Sequence, residues 1–450
     1  MEKLTDHQIE IEEKKGVGKY RYRILALLFM ATTINYMDRS IMGVLGPTLI
    51  DKVFFWSDMD YAYINMGFKI AYAIGMVSMG AIIDRLGTKI GYTVAIAIWS
   101  VSGMLHAAVR PAFSMLGFTL ARVGLGLGES GNFPACIKTV AEWFPKRERA
   151  WATGLFNAGA NVGAVMAPLV IPFIVAENGD GWQFAFLITG AFSLLWIVLW
   201  NKVYRKPEEH PSLSKEELAY IQSDQDMTAE KEAEESKLAW KDLLPLKETW
   251  AVAFGKFMTD PVWWFFLFWG GKFLADRFGL ELKGLALPMI IIFGVADLGS
   301  IAGGWLSSSL IQKGYSVNAG RKITMLICGL CVLPVAMAPH VESQWTAVAL
   351  IALAAAAHQA WSANIFTVAS DVFPKKATAS IVGIAGMAGA VGGFLADWGV
   401  GHVLESARDA AGNLPQDAYT IPFVVAAFGY LIALGVIQLF IPKLETLKKL

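Results

Sequence analysis

The sequence predicts an all-α membrane protein: twelve transmembrane helices in two pseudo-symmetric six-helix bundles. Three observations predict it. The 450 residues are 55% hydrophobic and only 17% charged, with a mean hydropathy of +0.47. A soluble chain of this length carries more charge on its surface. Twelve apolar runs come close to the ~20 residues that cross a bilayer. The halves also repeat. Phe144-Pro145-Lys146 recurs as Phe373-Pro374-Lys375, and Gly154 and Gly163 match Gly383 and Gly392, all at an offset of 229 residues (373 − 144). Duplicated halves place a substrate site at their interface near the bilayer midplane.

The runs, taken in order, show where charge enters apolar sequence. The first, near 22–48, carries Asn35-Tyr36-Met37-Asp38-Arg39. The second, near 60–83, carries Lys69 and Tyr72, three apart and so on one face. After it, Gly80, Asp84, Arg85, Gly87 and Lys89 put a carboxylate and two bases on a tight turn. The third run lies near 90–108. The fourth, near 112–141, holds Arg122-Val-Gly-Leu-Gly-Leu-Gly-Glu129. Charges in a bilayer persist when they pair, line a water-filled path or handle an ion. Arg122 and Glu129 are seven apart, about two helical turns, on nearly the same face. A fixed positive charge beside a titratable negative one suits an anion carrier powered by protons. The simpler alternative is a structural ion pair between the two. Gly124, Gly126 and Gly128 imitate a phosphate loop but lack its Lys-Ser/Thr and preceding strand, so close helix packing is their expected use.

The fifth run, near 150–175, places Asn157 and Asn161 one turn apart, suited to sugar hydroxyls or to helix–helix hydrogen bonds. The sixth is near 182–203. A polar stretch follows, in which Pro211-Ser-Leu-Ser-Lys-Glu-Glu-Leu has a helix-cap pattern and predicts a surface helix. The seventh run, near 250–275, carries Lys256, Asp260, Trp263 and Trp264. The eighth and ninth lie near 285–312 and 321–338. The ninth contains Cys328 and Cys331, a lone CxxC with no second pair to complete a metal site. The tenth, near 343–368, gathers His358, Gln359, Trp361, Ser362 and Asn364 within seven residues. Trp361 is expected to stack on a sugar ring, with packing as the alternative. The eleventh and twelfth lie near 379–402 and 419–442.

The expected organisation is a tail over 1–21, a six-helix bundle over 22–203, a linker over 204–249, a second bundle over 250–442 and a tail over 443–450. Lys and Arg concentrate at 19–23, 85–89, 146–149, 205–206, 313–322, 375–376 and 443–449, all on one side if every run spans. Both termini and the linker are therefore expected in the cytoplasm. Residues 1–22 are polar and the first run is too long for a signal h-region, so no cleavable signal is expected. Zero net charge gives no reason for a nucleic-acid partner. No metal or cofactor is expected. No nucleophile–base constellation points to an enzyme, and the linker is too short for a sensor's added signalling domain.

Gly80-Ala-Ile-Ile-Asp84-Arg85-Leu-Gly87-Thr-Lys89 resembles the G-x-x-x-D-R-x-G-x-K motif of the major facilitator superfamily. Asn35-Tyr36-Met-Asp38-Arg39, Arg122…Glu129 and Glu142-Trp-Phe-Pro-Lys-Arg-Glu148-Arg149 resemble its anion:cation symporter branch. Leu86-Gly-Thr-Lys-Ile-Gly-Tyr92, Ala357-His358-Gln359-Ala360 and Ser370-Asp371-Val-Phe373 are similar to bacterial hexuronate transporters. The resemblance implies a major facilitator fold and proton-coupled symport of an organic anion by alternating access, most specifically glucuronate or galacturonate. The branch also contains carriers of galactonate-like sugar acids, phosphate and other organic anions, which leaves a different anion or an exchange mode as the alternative. Some hexuronate carriers lack an acid at the position of Asp38, so proton number does not transfer. Asp38 and Glu129 become the expected proton-coupling residues. Tyr36, Arg39, Lys69, Tyr72, Arg122, Asn157, Asn161, His358, Gln359, Trp361 and Ser362 become the expected substrate contacts. Gly80, Asp84, Arg85, Gly87 and Lys89 become the cytoplasmic gate. The expected partners are a small organic anion, protons and the lipid bilayer of a bacterial inner membrane, with the monomer as the working unit.

Overall fold

The computed structural model describes residues 18–223, 240–410, 412–445 and 447. The rest of both expected tails and of the linker lies outside the described residues. The described chain is almost wholly helical. Helices α1 (Tyr20–Thr48), α2 (Asp58–Leu86), α3 (Thr88–Leu105), α4 (Ser114–Glu129), α5 (Asn132–Trp143), α6 (Lys146–Ile174) and α7 (Trp182–Val203) make up the first group. A short helix, α8 (Lys215–Gln222), follows. The second group comprises α9 (Lys247–Phe278), α10 (Leu282–Gln312), α11 (Val317–Val332), α12 (Gln344–Val372), α13 (Lys375–Ala407) and α14 (Thr420–Phe440).

Eight helices among the described residues are long and apolar enough to cross a membrane, or nine if the two arms of α2, bent by 48°, count as one span. Those that fall short of twelve have a physical reason. α1 carries Asp38 and Arg39, and α9 carries Lys256, Asp260 and Lys272. The fourth apolar run is interrupted at Ser130 and Gly131, which separate α4 from α5. α1 and α9 fall short because buried charge lowers their hydropathy, whereas α13 qualifies despite Asp397.

One glycine pair of the 229-residue repeat, Gly163 and Gly392, is a packing repeat, whereas a Cβ on Gly154 would meet nothing within 4 Å. A Cβ on Gly163 of α6 would collide with the Thr33 carbonyl of α1. A Cβ on Gly392 of α13 would collide with the Phe257 carbonyl of α9. Equivalent glycines thus let equivalent helix pairs approach backbone to backbone. Gly126 and Gly128 do the same for α4, against Phe68 of α2 and Trp99 of α3. The expected linker helix is α8. Its Ser214 accepts the Glu217 N–H at 3.1 Å. Glu217 in turn accepts the Tyr20 and Arg21 N–H groups, at 3.1 and 3.0 Å. A carboxylate there satisfies orphan donors at the start of α1 and complements its dipole.

The groups meet along α1–α9, α2–α13 and α6–α10. Away from the linker, ion pairs cross between them. Asp58 of α2 takes Lys272 of α9 at 3.0 Å and Arg408, just after α13, at 2.7 Å. Lys52 takes Glu281 at 3.0 Å.

Candidate functional site

α1, α2, α4 and α9 bring the buried charges together. Arg39 Nε donates to Glu129 Oε2 at 2.8 Å, with both side chains almost wholly buried. The Arg39 guanidinium lies 4.6 Å from the Tyr36 ring centroid and 4.8 Å from that of Tyr72. Phe68 and Trp264 each lie 5.4 Å from it. Aromatic faces replace part of the hydration the cation has lost.

Arg122 is fully buried. Its guanidinium stands 4.4 Å from the Phe68 ring and 5.1 Å from Phe268. Phe68 is therefore flanked by two arginines. The Arg122 Nη2 donates to Asn65 Oδ1 at a long 3.4 Å. The sequence spacing had Arg122 as the partner of Glu129. Seven residues rise about 10 Å along a helix, and Arg39 reaches the carboxylate across the gap from α1 instead. The pairing leaves donors open. Arg39 Nη2, Arg122 Nε and Nη1, Asn65 Nδ2 and Glu129 Oε1 are buried without a hydrogen-bond partner in the protein, as are both amide atoms of Asn35. Each such group costs about 1–3 kcal/mol when unmet. Guanidinium donors of this kind suit an anionic acceptor.

Lys69 is committed elsewhere. Its ammonium lies 2.7 Å from Asp397 Oδ2 of α13 and donates to the Gly393 carbonyl at 3.2 Å. Trp269 Nε1 donates to Asp397 Oδ1 at 2.9 Å. Asp397 was missed in the sequence. The signal was present, a single acid inside the eleventh apolar run, and the rule that singled out Arg122 applies equally to it. Asp38 points away from the group interface, where Ser193 Oγ of α7 donates to its Oδ2 at 3.3 Å. The Asp38 Oδ1 has no protein partner.

The tenth-run cluster splits by burial: His358, Trp361 and Asn364 are buried, and Gln359 and Ser362 are half-buried. His358 Nδ1 lies 2.7 Å from Tyr430 Oη, and its ring stacks on Trp263 at 5.5 Å. Trp361 is fully buried, edge-on to Tyr430 at 5.3 Å. The expectation that Trp361 offers its face to a sugar therefore gives way to packing against α14. Asn364 donates to backbone carbonyls of Gly303 and Ala360. Gln359 and Ser362, the half-buried pair, lie in line with Phe366 along α12, and the Phe366 ring lies 4.5 Å from Lys256 Nζ. Asn157 is exposed and Asn161 half-buried. They sit roughly 120° around α6 from its exposed apolar stripe of Leu155, Val162 and Leu169.

Gly87, at φ +78°, makes the turn between α2 and α3, as its place in the motif requires. Asp84 is exposed and pairs with Lys138 of its own group at 2.6 Å. Arg85 is exposed and Lys89 half-buried. A cavity of about 310 Å³ between α9, α13 and α14 is lined by apolar residues such as Phe257, Pro261 and Val425. It offers nothing to a charged ligand.

The sequence profile of the Major Facilitator Superfamily matches residues 28–396. A hexuronate transporter of Escherichia coli (strain K12) is 31% identical over 369 residues, covering 82% of this chain and 84% of the relative. A galacturonate transporter of Dickeya chrysanthemi is 33% identical over 338 residues, covering 74% and 95%. Among solved structures, a bacterial homologue of the human lysosomal transporter Spinster, in an inward-facing and occupied conformation, superposes with a TM-score of 0.75 at 19% identity. That superposition covers 94% of this chain and 97% of the other.

Proposed function

The chain belongs to the Major Facilitator Superfamily and is an integral membrane protein, and from that premise we propose that it takes up a sugar acid, most specifically a hexuronate, together with protons. The names of the relatives support the substrate class, since the two described above are named a hexuronate and a galacturonate transporter. The observation that carries the reading is the set of unmet donors on Arg39 and Arg122. A substrate carboxylate offers these guanidinium donors a charged acceptor, whereas a neutral sugar offers only hydroxyl oxygens and leaves the cations uncompensated.

Charge balance supports the proton. The buried charges Arg39, Arg122 and Lys69 are matched in number by Glu129, Asp397 and Asp38, the last standing apart beside Ser193, so together they sum to zero when all six are ionised. Adding an anion alone is unfavourable. Protonating Glu129 frees Arg39 and leaves one positive charge for the incoming carboxylate. Asp38, beside Ser193, is the second proton-handling group. The bundles 22–203 and 250–442 rock about this site, a monomer suffices, and the linker and both termini face the cytoplasm of a bacterial inner membrane. The test is uptake of labelled glucuronate into proteoliposomes with competitors. Galacturonate should compete and glucose should not. Equal competition by glucose would make the arginines structural.

A further inference from the structure

We propose that the Lys256–Asp260 pair of α9 reads the end of the substrate remote from its carboxylate, and that Asp260 selects sugar monoacids over six-carbon diacids. The inference rests on the sugar-acid reading and adds the specificity within it.

Position comes first. One stripe of α9 faces the first group. Gly271 and Leu267 meet Gly43 of α1, and Trp264 stands beside Arg39. Asp260 is the next residue of that stripe, one turn from Trp264, and Lys256 is one turn further. Four residues rise about 6 Å. That is comparable with the reach from the carboxylate of a pyranose uronate to its anomeric hydroxyl. The packing of α13 agrees. Gly393 faces Trp264 and Lys69, and one turn along, a Cβ on Gly389 would collide with the Asp260 carboxylate. Glycine at 389 leaves the space that Asp260 occupies.

Chemistry comes second. Lys256 Nζ pairs with Asp260 Oδ1 at 2.8 Å, and the side chains remain 8% and 16% exposed. The Arg39–Glu129 pair is sealed at 3% and 0%. The α9 pair is therefore the more open of the two. The ammonium is already engaged by Asp260 and Phe366. The other carboxylate oxygen, Oδ2, faces Gly389 of α13, which carries no side chain to cover it. A hydroxyl can donate to it, and a second substrate carboxylate meets like charge in a poorly solvated space.

The experiment is competition for labelled glucuronate uptake by galactarate, a six-carbon diacid, in proteoliposomes at fixed pH. In the wild type, galactarate should compete at least about tenfold less well than unlabelled glucuronate. In Asp260→Asn that ratio should narrow by about tenfold or more, and Asp260→Glu should keep it wide. If Asp260→Asn fails to fold, the double variant K256Q/D260N, with no unpaired charge, gives the same ratio. Galactarate competing as well as glucuronate in the wild type would assign the far end to Lys256 and overturn the proposal. So would a ratio unmoved in both neutral variants. Either result leaves glucuronate uptake intact and so spares the transport reading. Failure of every sugar acid to be bound or taken up by the wild type would overturn that reading, and this one with it.

Discussion

Replacing Glu129 with Gln tests the exchange at the centre of the site. In the wild type the carboxylate holds Arg39 Nε at 2.8 Å in a wholly buried setting. An incoming substrate carboxylate must compete with that bond unless Glu129 carries a proton. One proton bound with one anion makes the apparent affinity fall tenfold per pH unit above the pKa of Glu129, or about 1.4 kcal/mol per unit. Below that pKa affinity should be flat. Glu129→Gln removes the competing charge, so its affinity should be high and flat at every pH, while accumulation against a gradient is lost. The free protein should suffer, because Arg39 is left a buried cation with a neutral partner. Breaking a buried pair costs about 3–5 kcal/mol, of which the amide oxygen recovers part. Substrate at a hundred times its dissociation constant returns about 2.7 kcal/mol. The variant should therefore melt lower than wild type when empty and gain more on substrate addition. Calorimetric titration between about pH 5 and 8, with thermal melting alongside, reads both effects. A variant whose affinity still declines with pH as the wild type's does would move the coupling away from Glu129.

Three further outcomes follow from the same geometry. Asp38→Asn should abolish proton-driven accumulation yet preserve exchange of bound for labelled substrate, since Asp38 bonds Ser193 rather than facing the arginines; loss of both, in folded protein, would place it in the binding site. Trp361→Ala should destabilise by about 3–5 kcal/mol without changing the substrate dissociation constant, because its ring packs on Tyr430; a weakened constant in a stable protein would return it to the substrate. Lys69→Asp should lower thermal stability, and adding Asp397→Lys should restore much of it; no recovery in the double variant would mean that the pair does not act as a unit.

Much of this arrangement was readable from the chain because charge inside apolar sequence is rare and period-bound. Asp38, Arg39, Arg122 and Glu129 announce themselves, and the repeated Gly163 and Gly392 mark where helices approach. What stayed hidden was partnership. Glu129 has two arginines within the same half, and nothing in the spacing says that Arg39 on another helix reaches it first. Asp397 and Lys69 are 328 residues apart (397 − 69), and only the folded chain makes them a pair. The tenth run misled for a different reason. His358 and Trp361 are held by Tyr430, whereas Gln359 and Ser362 are half-buried. Five polar residues in seven looked like one cluster, and three of them, His358, Trp361 and Asn364, are taken up by contacts inside the second group.

The α2–α13 seam connects the rim to the anion site through consecutive residues. Asp58 meets Arg408 and Lys69 meets Asp397. Each pair is separated by eleven residues on both helices (69 − 58 and 408 − 397), so the helices run antiparallel in register. Polarity reverses along the seam. At the rim α2 supplies the acid, and deeper in it supplies the base. A slip of α2 past α13 toward the next rung sets like charge toward like charge, which favours parting over sliding. Phe68 precedes Lys69, and it is the ring flanked by Arg39 and Arg122. Parting α2 from α13 must break the Lys69–Asp397 contact, and the same displacement shifts the aromatic surface on which both arginines rest. The state of the seam and the shape of the anion site are thus set by adjacent side chains of one helix.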